Sequence, residues 1–136
     1  MCPQGRTVLV VDDNPDHHAI CDAILGAAGF STVHAYDGVE GVRLAIEHHP
    51  DVVLMDLWMP RLDGLEATRA LRGHPDTSAI PVIATTADVA GRTTRRSGVS
   101  SPQELLDRGF TAFLPKPCEP KRIVAEVERV LQVAER

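Results

Sequence analysis

Asp12, Asp13 and Asp56 offer three carboxylates, Thr86 a hydroxyl and Lys116 an ammonium group, and all five stand at or just beyond the end of a short apolar run. Carboxylates gathered in one place repel: at about 5 Å and an effective dielectric of about 20, one pair costs about 3 kcal/mol. A hard divalent cation removes that cost, and Mg2+ prefers oxygen ligands while keeping several waters. A cation and a lysine together also suit a transferring phosphoryl group, whose charge must be neutralised as it moves. A carboxylate can act as the nucleophile and become an aspartyl phosphate. A nearby threonine hydroxyl can then hydrogen-bond the new phosphoryl oxygens.

That chemistry requires the five groups to meet, so the apolar runs must lie side by side. Residues 7–11 (TVLVV) form a β-branched run of the kind buried on both faces of a sheet. Residues 32–36, 52–55 (VVLM), 81–85 (PVIAT) and 112–114 read as four further strands. Helical patterns alternate with them. Asn14-Pro15 is a helix start, with Asn as N-cap and Pro at the first helical position. Ala19, Ile20, Ala23, Ile24 and Ala27 then recur at helical spacing until Gly29 stops the helix. Val39, Val42, Ala45 and Ile46 mark a second helix, residues 62–72 a third, and Ile123, Val124, Val127, Val130 and Leu131 an amphipathic last one. Alternation of this kind predicts an α/β fold: a doubly wound five-stranded parallel sheet with helices on both faces. In such a sheet the working site lies at the carboxyl ends of the strands, where the five groups are.

Composition narrows the classes further. The chain of 136 residues fits one domain, 1–136, with a short tail at 1–6. Hydrophobic residues at 43% and charged residues at 24% are those of a globular chain rather than a disordered one. The net charge of −5 argues against direct nucleic-acid binding, which calls for a basic face. No run approaches the roughly 18 apolar residues of a membrane span, and no signal peptide is visible. Cys2, Cys21 and Cys118 are too few for a disulfide framework, so a cytoplasmic setting is expected. His17-His18 and His48-His49 are adjacent pairs that diverge around a helix and cannot chelate like an i, i+4 pair. They are expected on the solvated surface, and Cys118 is expected to be a small buried thiol.

The segments Val10-Val11-Asp12-Asp13-Asn14, Leu54-Met55-Asp56-Leu57-Trp58-Met59-Pro60 with Gly64, Pro81-Val82-Ile83-Ala84-Thr85-Thr86-Ala87 and Phe113-Leu114-Pro115-Lys116-Pro117 resemble the response-regulator receiver family. The resemblance covers nearly the whole chain, with the motifs in the family's order. It implies the flavodoxin-like strand order 2-1-3-4-5. It implies Asp56 as phosphoryl acceptor, Asp13 as direct Mg2+ ligand, Asp12 as an assisting ligand through water, and the Trp58 carbonyl as a further ligand. Lys116 would pair with the phosphoryl group and Asp56. Thr86 would be the switch hydroxyl, while its neighbour Thr85 points into the core. Phe113 stands at the family's aromatic switch position, and Lys116-Pro117 is a candidate cis peptide. Read alone, Asp12-Asp13 also fits an ordinary turn and helix cap, and Phe113 an ordinary core aromatic.

Thirty positions separate Thr86 from Lys116, several more than the family leads one to expect. The excess lies in 88–102, where Gly91, Gly98, three serines, Pro102 and the basic Arg92, Arg95 and Arg96 favour an extended loop before or within the crossover helix. Only residues 103–108 keep a helical pattern. In relatives the surface formed by that helix, the fifth strand and the last helix carries the signal onward. The expected function is a phosphorylation-dependent signalling switch rather than an enzyme. The expected donor is a sensor histidine kinase or histidine phosphotransfer protein; a downstream protein target and a homodimer are further candidate partners. The competing readings are a Mg2+-dependent phosphohydrolase with an aspartyl-phosphate intermediate, which would call for a general acid where Trp58 stands, and a phosphate-independent binding module.

Overall fold

Alternation along the three central strands divides the apolar side chains between two faces, and that division determines where the acids fall. The computed structural model describes residues 6–57, 64–86, 106–107, 109–115 and 119–134. Its elements are β1 (Thr7–Val11), α1 (Pro15–Ala27), β2 (Ser31–Ala35), α2 (Gly38–His48), β3 (Val52–Asp56), α3 (Gly64–Gly73), β4 (Val82–Thr86), β5 (Ala112–Pro115) and α4 (Pro120–Ala134). The strands form one parallel sheet in the order β2-β1-β3-β4-β5, the doubly wound order that the family resemblance implies. Strand bounds differ from the sequence reading by about one residue. The extended loop expected over residues 88–102 and most of the helical pattern at 103–108 lie outside the described residues.

Leu9 and Val11 of β1, Val53 and Met55 of β3, and Val82 and Ala84 of β4 pack on one face against Ala45 of α2 and Leu65, Ala67 and Leu71 of α3. Val8 and Val10, Val52 and Leu54, and Ile83 pack on the other against Cys21 and Leu25 of α1 and Ile123, Val127, Val130 and Leu131 of α4. Continuing the alternation by one step carries Asp12 and Asp56 toward the α1 face. Register brings them level, since Val11 pairs with Met55 and Asp56 with Thr85.

Helix α1 starts as the sequence indicates: the Asn14 side chain accepts from the Asp16 N–H at 2.9 Å, Pro15 follows, and Gly29 terminates at φ 97°. Its buried face differs from the expected one. His18, Cys21 and Leu25 turn inward, whereas Ala19, Ala23 and Ala27 are exposed and Ile20 is 48% exposed. The Ala/Ile stripe misleads because the face actually buried is led by a histidine. Beyond α3, Arg72 acts as a staple: its guanidinium donates to Gly109 O at 2.7 and 3.0 Å and to Ile80 O at 2.7 Å, tying the helix end to the starts of β4 and β5.

Thr85 is buried, as expected, and its Oγ1 has no hydrogen-bond partner among the described residues. A buried hydroxyl without a partner pays its desolvation cost unreturned. Thr85→Val, of the same shape and well suited to a strand, is therefore expected to raise stability by about 1 kcal/mol, read as a higher urea midpoint at unchanged m-value.

Candidate functional site: an acidic cluster at the carboxyl ends of the strands

Asp12, Asp13 and Asp56 meet at the rim, with one carboxylate oxygen from each lying within 4.8 Å of the others. Asp12 and Asp56 are buried and Asp13 is exposed. An all-oxygen donor set of this size suits a hard divalent cation with waters completing its shell. The three residues that the sequence singled out as acidic metal ligands are thus brought together. Trp58, Lys116 and the side chain of Thr86 lie outside the described residues, as do Cys118 and the Lys116-Pro117 bond. The backbone of Thr86 ends β4 opposite Pro115, level with the acidic rim. Phe113 is half-buried and packs on the α2/α3 face of the sheet.

Close approach at Asp56 is enforced from the other side of the sheet by Gly64. The Gly64 N–H donates to Leu57 O at 3.1 Å, and a Cβ at position 64 would run into the Asp56 carbonyl oxygen and stand 2.9 Å from Leu57 Cα. Only glycine lets the start of α3 lie directly against the end of β3.

Ala35, Asn14, His17 and His18 hold Asp12. Its N–H donates to Ala35 O at 3.1 Å, and its Oδ1 accepts from the Asn14 N–H at 2.9 Å. Its Oδ2 takes His17 Nδ1 at 2.7 Å, and its carbonyl takes His18 Nε2 at 2.8 Å. A carbonyl only accepts, so His18 Nε2 carries the proton and His18 Nδ1 is left to accept from His34 Nδ1, 2.6 Å away. Burial pushes the His18 imidazole below its ordinary value, in keeping with a neutral ring. The hydrogen bond to the Asp12 carboxylate, then that to Cys21, raises His17 from 6.5 to about 9.

The expectation of a solvated His17-His18 pair is therefore corrected. His18 is 3% exposed and His17 is largely covered, whereas His48 and His49 are exposed as expected. The pair follows directly on a strand that ends in acids, and side chains in a first helical turn lean back toward the helix start. That spacing was the available signal.

The response regulator receiver domain family matches residues 8–128. The polar-differentiation response regulator DivK of Brucella ovis is 31% identical over 126 residues, covering 93% of this chain and 96% of its own. The receiver domain of a signal transduction histidine kinase from Syntrophus aciditrophicus superposes with a TM-score of 0.79 at 31% identity, covering 97% of this chain and 94% of its own. The receiver domain of sensor histidine kinase PA1611 from Pseudomonas aeruginosa PAO1 does so with a TM-score of 0.76 at 34% identity, covering 94% and 95%; its structure holds a magnesium ion coordinated in the active-site cleft. With the parallel sheet and its acidic cluster, these matches define a phosphorylation-dependent signalling domain, and this chain belongs to the response regulator receiver domain family. Among the described residues, no helix is long and apolar enough to cross a membrane.

Gly64→Ala is expected to push α3 off the end of β3, lowering stability by about 1–3 kcal/mol in urea unfolding. In chelator, His17 gives a second expectation. Its folded value lies above the unfolded one, so its stabilisation is complete below pH 6.5 and is lost as pH rises toward about 9. Urea midpoints are expected to fall across that window, and His17→Asn, which does not titrate, is expected to flatten the slope.

Proposed function

We propose that Asp56 accepts a phosphoryl group from a phosphohistidine on a sensor kinase or phosphotransfer protein. The observation that carries this reading is the convergence of Asp12, Asp13 and Asp56 at the carboxyl end of β3. A carboxylate oxygen of Asp56 attacks phosphorus, the phosphorus–nitrogen bond of the donor breaks, and the imidazole leaves with a proton; the product is an acyl phosphate. Asp12, Asp13, Asp56 and the carbonyl of Trp58 would hold Mg2+, which when bound neutralises charge on the transferring oxygens. Lys116 would pair with the same oxygens, and Thr86 would donate its hydroxyl to the new phosphate. Asp56 is the end of a buried strand, so its backbone is fixed while its side chain reaches the rim. That suits a nucleophile that must meet its donor in one geometry.

On this reading, the new charge draws Thr86 inward and Phe113 follows, shifting the population of two states of the surface presented to a downstream protein. The half-buried position of Phe113 supports this, because a ring with one side open can exchange positions at low cost. The reading is of a switch that performs chemistry on its own Asp56 and does not turn over a separate substrate.

The test is intact-mass analysis after incubation with acetyl phosphate and Mg2+. A one-phosphate gain is expected in the wild type and is expected to be absent in Asp56→Asn and after chelation. A gain that persists in Asp56→Asn would sink the assignment.

A further inference from the structure

Asp12 enters the acidic cluster already engaged on both carboxylate oxygens, by the Asn14 N–H on Oδ1 and by His17 on Oδ2. The second contact is unusual in kind, because it comes from a side chain outside the acidic set. A carboxylate can only accept, so His17 must donate from Nδ1, and an Nδ1–H is available in the charged ring and in one neutral tautomer. The contact therefore holds as geometry, whatever the charge on the ring.

His17 is itself fixed. Its backbone N–H bonds to Asn14 O at 3.1 Å in the first turn of α1. Its Nε2 lies 3.7 Å from Sγ of the buried Cys21, one turn on. The side chain is 14% exposed, so the ring is enclosed and not a loose surface group.

We propose that His17 is a positioning residue for the divalent cation: by donating to Asp12 Oδ2 it holds that carboxylate toward α1, competes with the cation for the same oxygen, and weakens cation binding. This rests on the reading of Asp12, Asp13 and Asp56 as the cation site. An oxygen that accepts an N–H at 2.7 Å must share or give up that bond before it ligates an ion directly. His17 thus keeps Asp12 in an outer role and leaves direct ligation to Asp13 and Asp56. Removing the donor returns Oδ2 to the cluster, and the cation binds more tightly.

The experiment is a Mg2+ titration of the full chain at one pH, followed by the fluorescence of Trp58, the sole tryptophan, and by calorimetry. His17→Ala is expected to tighten the Mg2+ Kd by about 3- to 10-fold, the scale of one charge-assisted hydrogen bond only partly given up. Asparagine places an N–H where Nδ1 stands, so His17→Asn, which keeps the donor but not a ring that can carry charge, is expected to tighten Kd less than His17→Ala. Glutamine places it at the Nε2 position, away from Asp12, so His17→Gln is expected to behave like His17→Ala and replaces it should that variant not fold by circular dichroism. In an Asp12→Asn background the His17 substitutions are expected to shift Kd by less than about twofold.

An unchanged or weaker Kd in a folded His17→Ala or His17→Gln overturns the proposal. So does the same tightening in Asp12→Asn, or an Asn variant that behaves like the Ala one. The underlying reading fails separately: acetyl phosphate labelling that survives Asp56→Asn removes the acceptor while leaving the His17 comparison intact, and a wild type that binds no Mg2+ overturns both.

Discussion

Negative charge crowded at one end of a parallel sheet is the constraint on which the rest of this structure depends. Two of the three acids are buried, and their oxygens lie within 4.8 Å of one another and of the third. At an effective dielectric of about 20 each such pair costs about 3 kcal/mol, against about 5–15 kcal/mol of stability for a whole domain. The fold tolerates this only because donors converge on the acids. The start of α1 supplies the Asn14 N–H and the side chain of His17, and the positive end of the helix lies on the same side. What repulsion remains favours a cation, so the cost of gathering the three acids and their capacity to hold an ion share one origin.

The sheet imposes the crowding through period and register. β1 and β3 are apolar on both faces, and their last inward steps toward α1 fall on Asp12 and Asp56. A slip of one residue in β3 would turn Asp56 toward α2 and α3 and bring Leu57 to the α1 side. Such a slip is opposed by the whole length of the strand, because Val52, Val53, Leu54 and Met55 each fit one of the two cores. Gly64 then sets the depth at which α3 abuts the strand end. Site geometry is thus paid for by ordinary core packing.

The architecture was legible in the residues because each strand is a continuous apolar run and each helix has its own period. Asn14-Pro15 and Gly29 marked the ends of α1 for local reasons that tertiary structure does not overrule. Asp12, Asp13 and Asp56 were legible as a set only once the strands were placed side by side. The buried face of α1 was not legible. Hydrophobicity favours Ala19, Ile20 and Ala23, yet the helix turns His18 inward because the Asp12 carbonyl and the His34 ring satisfy both its nitrogens. A polar residue becomes a core residue when partners distant in sequence complete its hydrogen bonds, and no periodicity records those partners.

The two sides of the site are built differently. Asp12 is tied to β2 through Ala35, to the start of α1 through Asn14 and His17, and to the imidazoles of His18 and His34 beyond. Movement there would break several hydrogen bonds together. β5, by contrast, is a four-residue edge strand paired only to β4, and Phe113 on it is half-buried. Ala112 and Leu114 anchor the strand in the core on the α1/α4 face, so Phe113 is its one side chain of intermediate burial among the described residues. A charge added between the two sides therefore meets a hydrogen-bonded network at β1 and, on β5, a half-buried ring. On the proposed reading, the response to phosphorylation runs outward through Phe113, while the α1 side keeps the geometry that the next transfer requires.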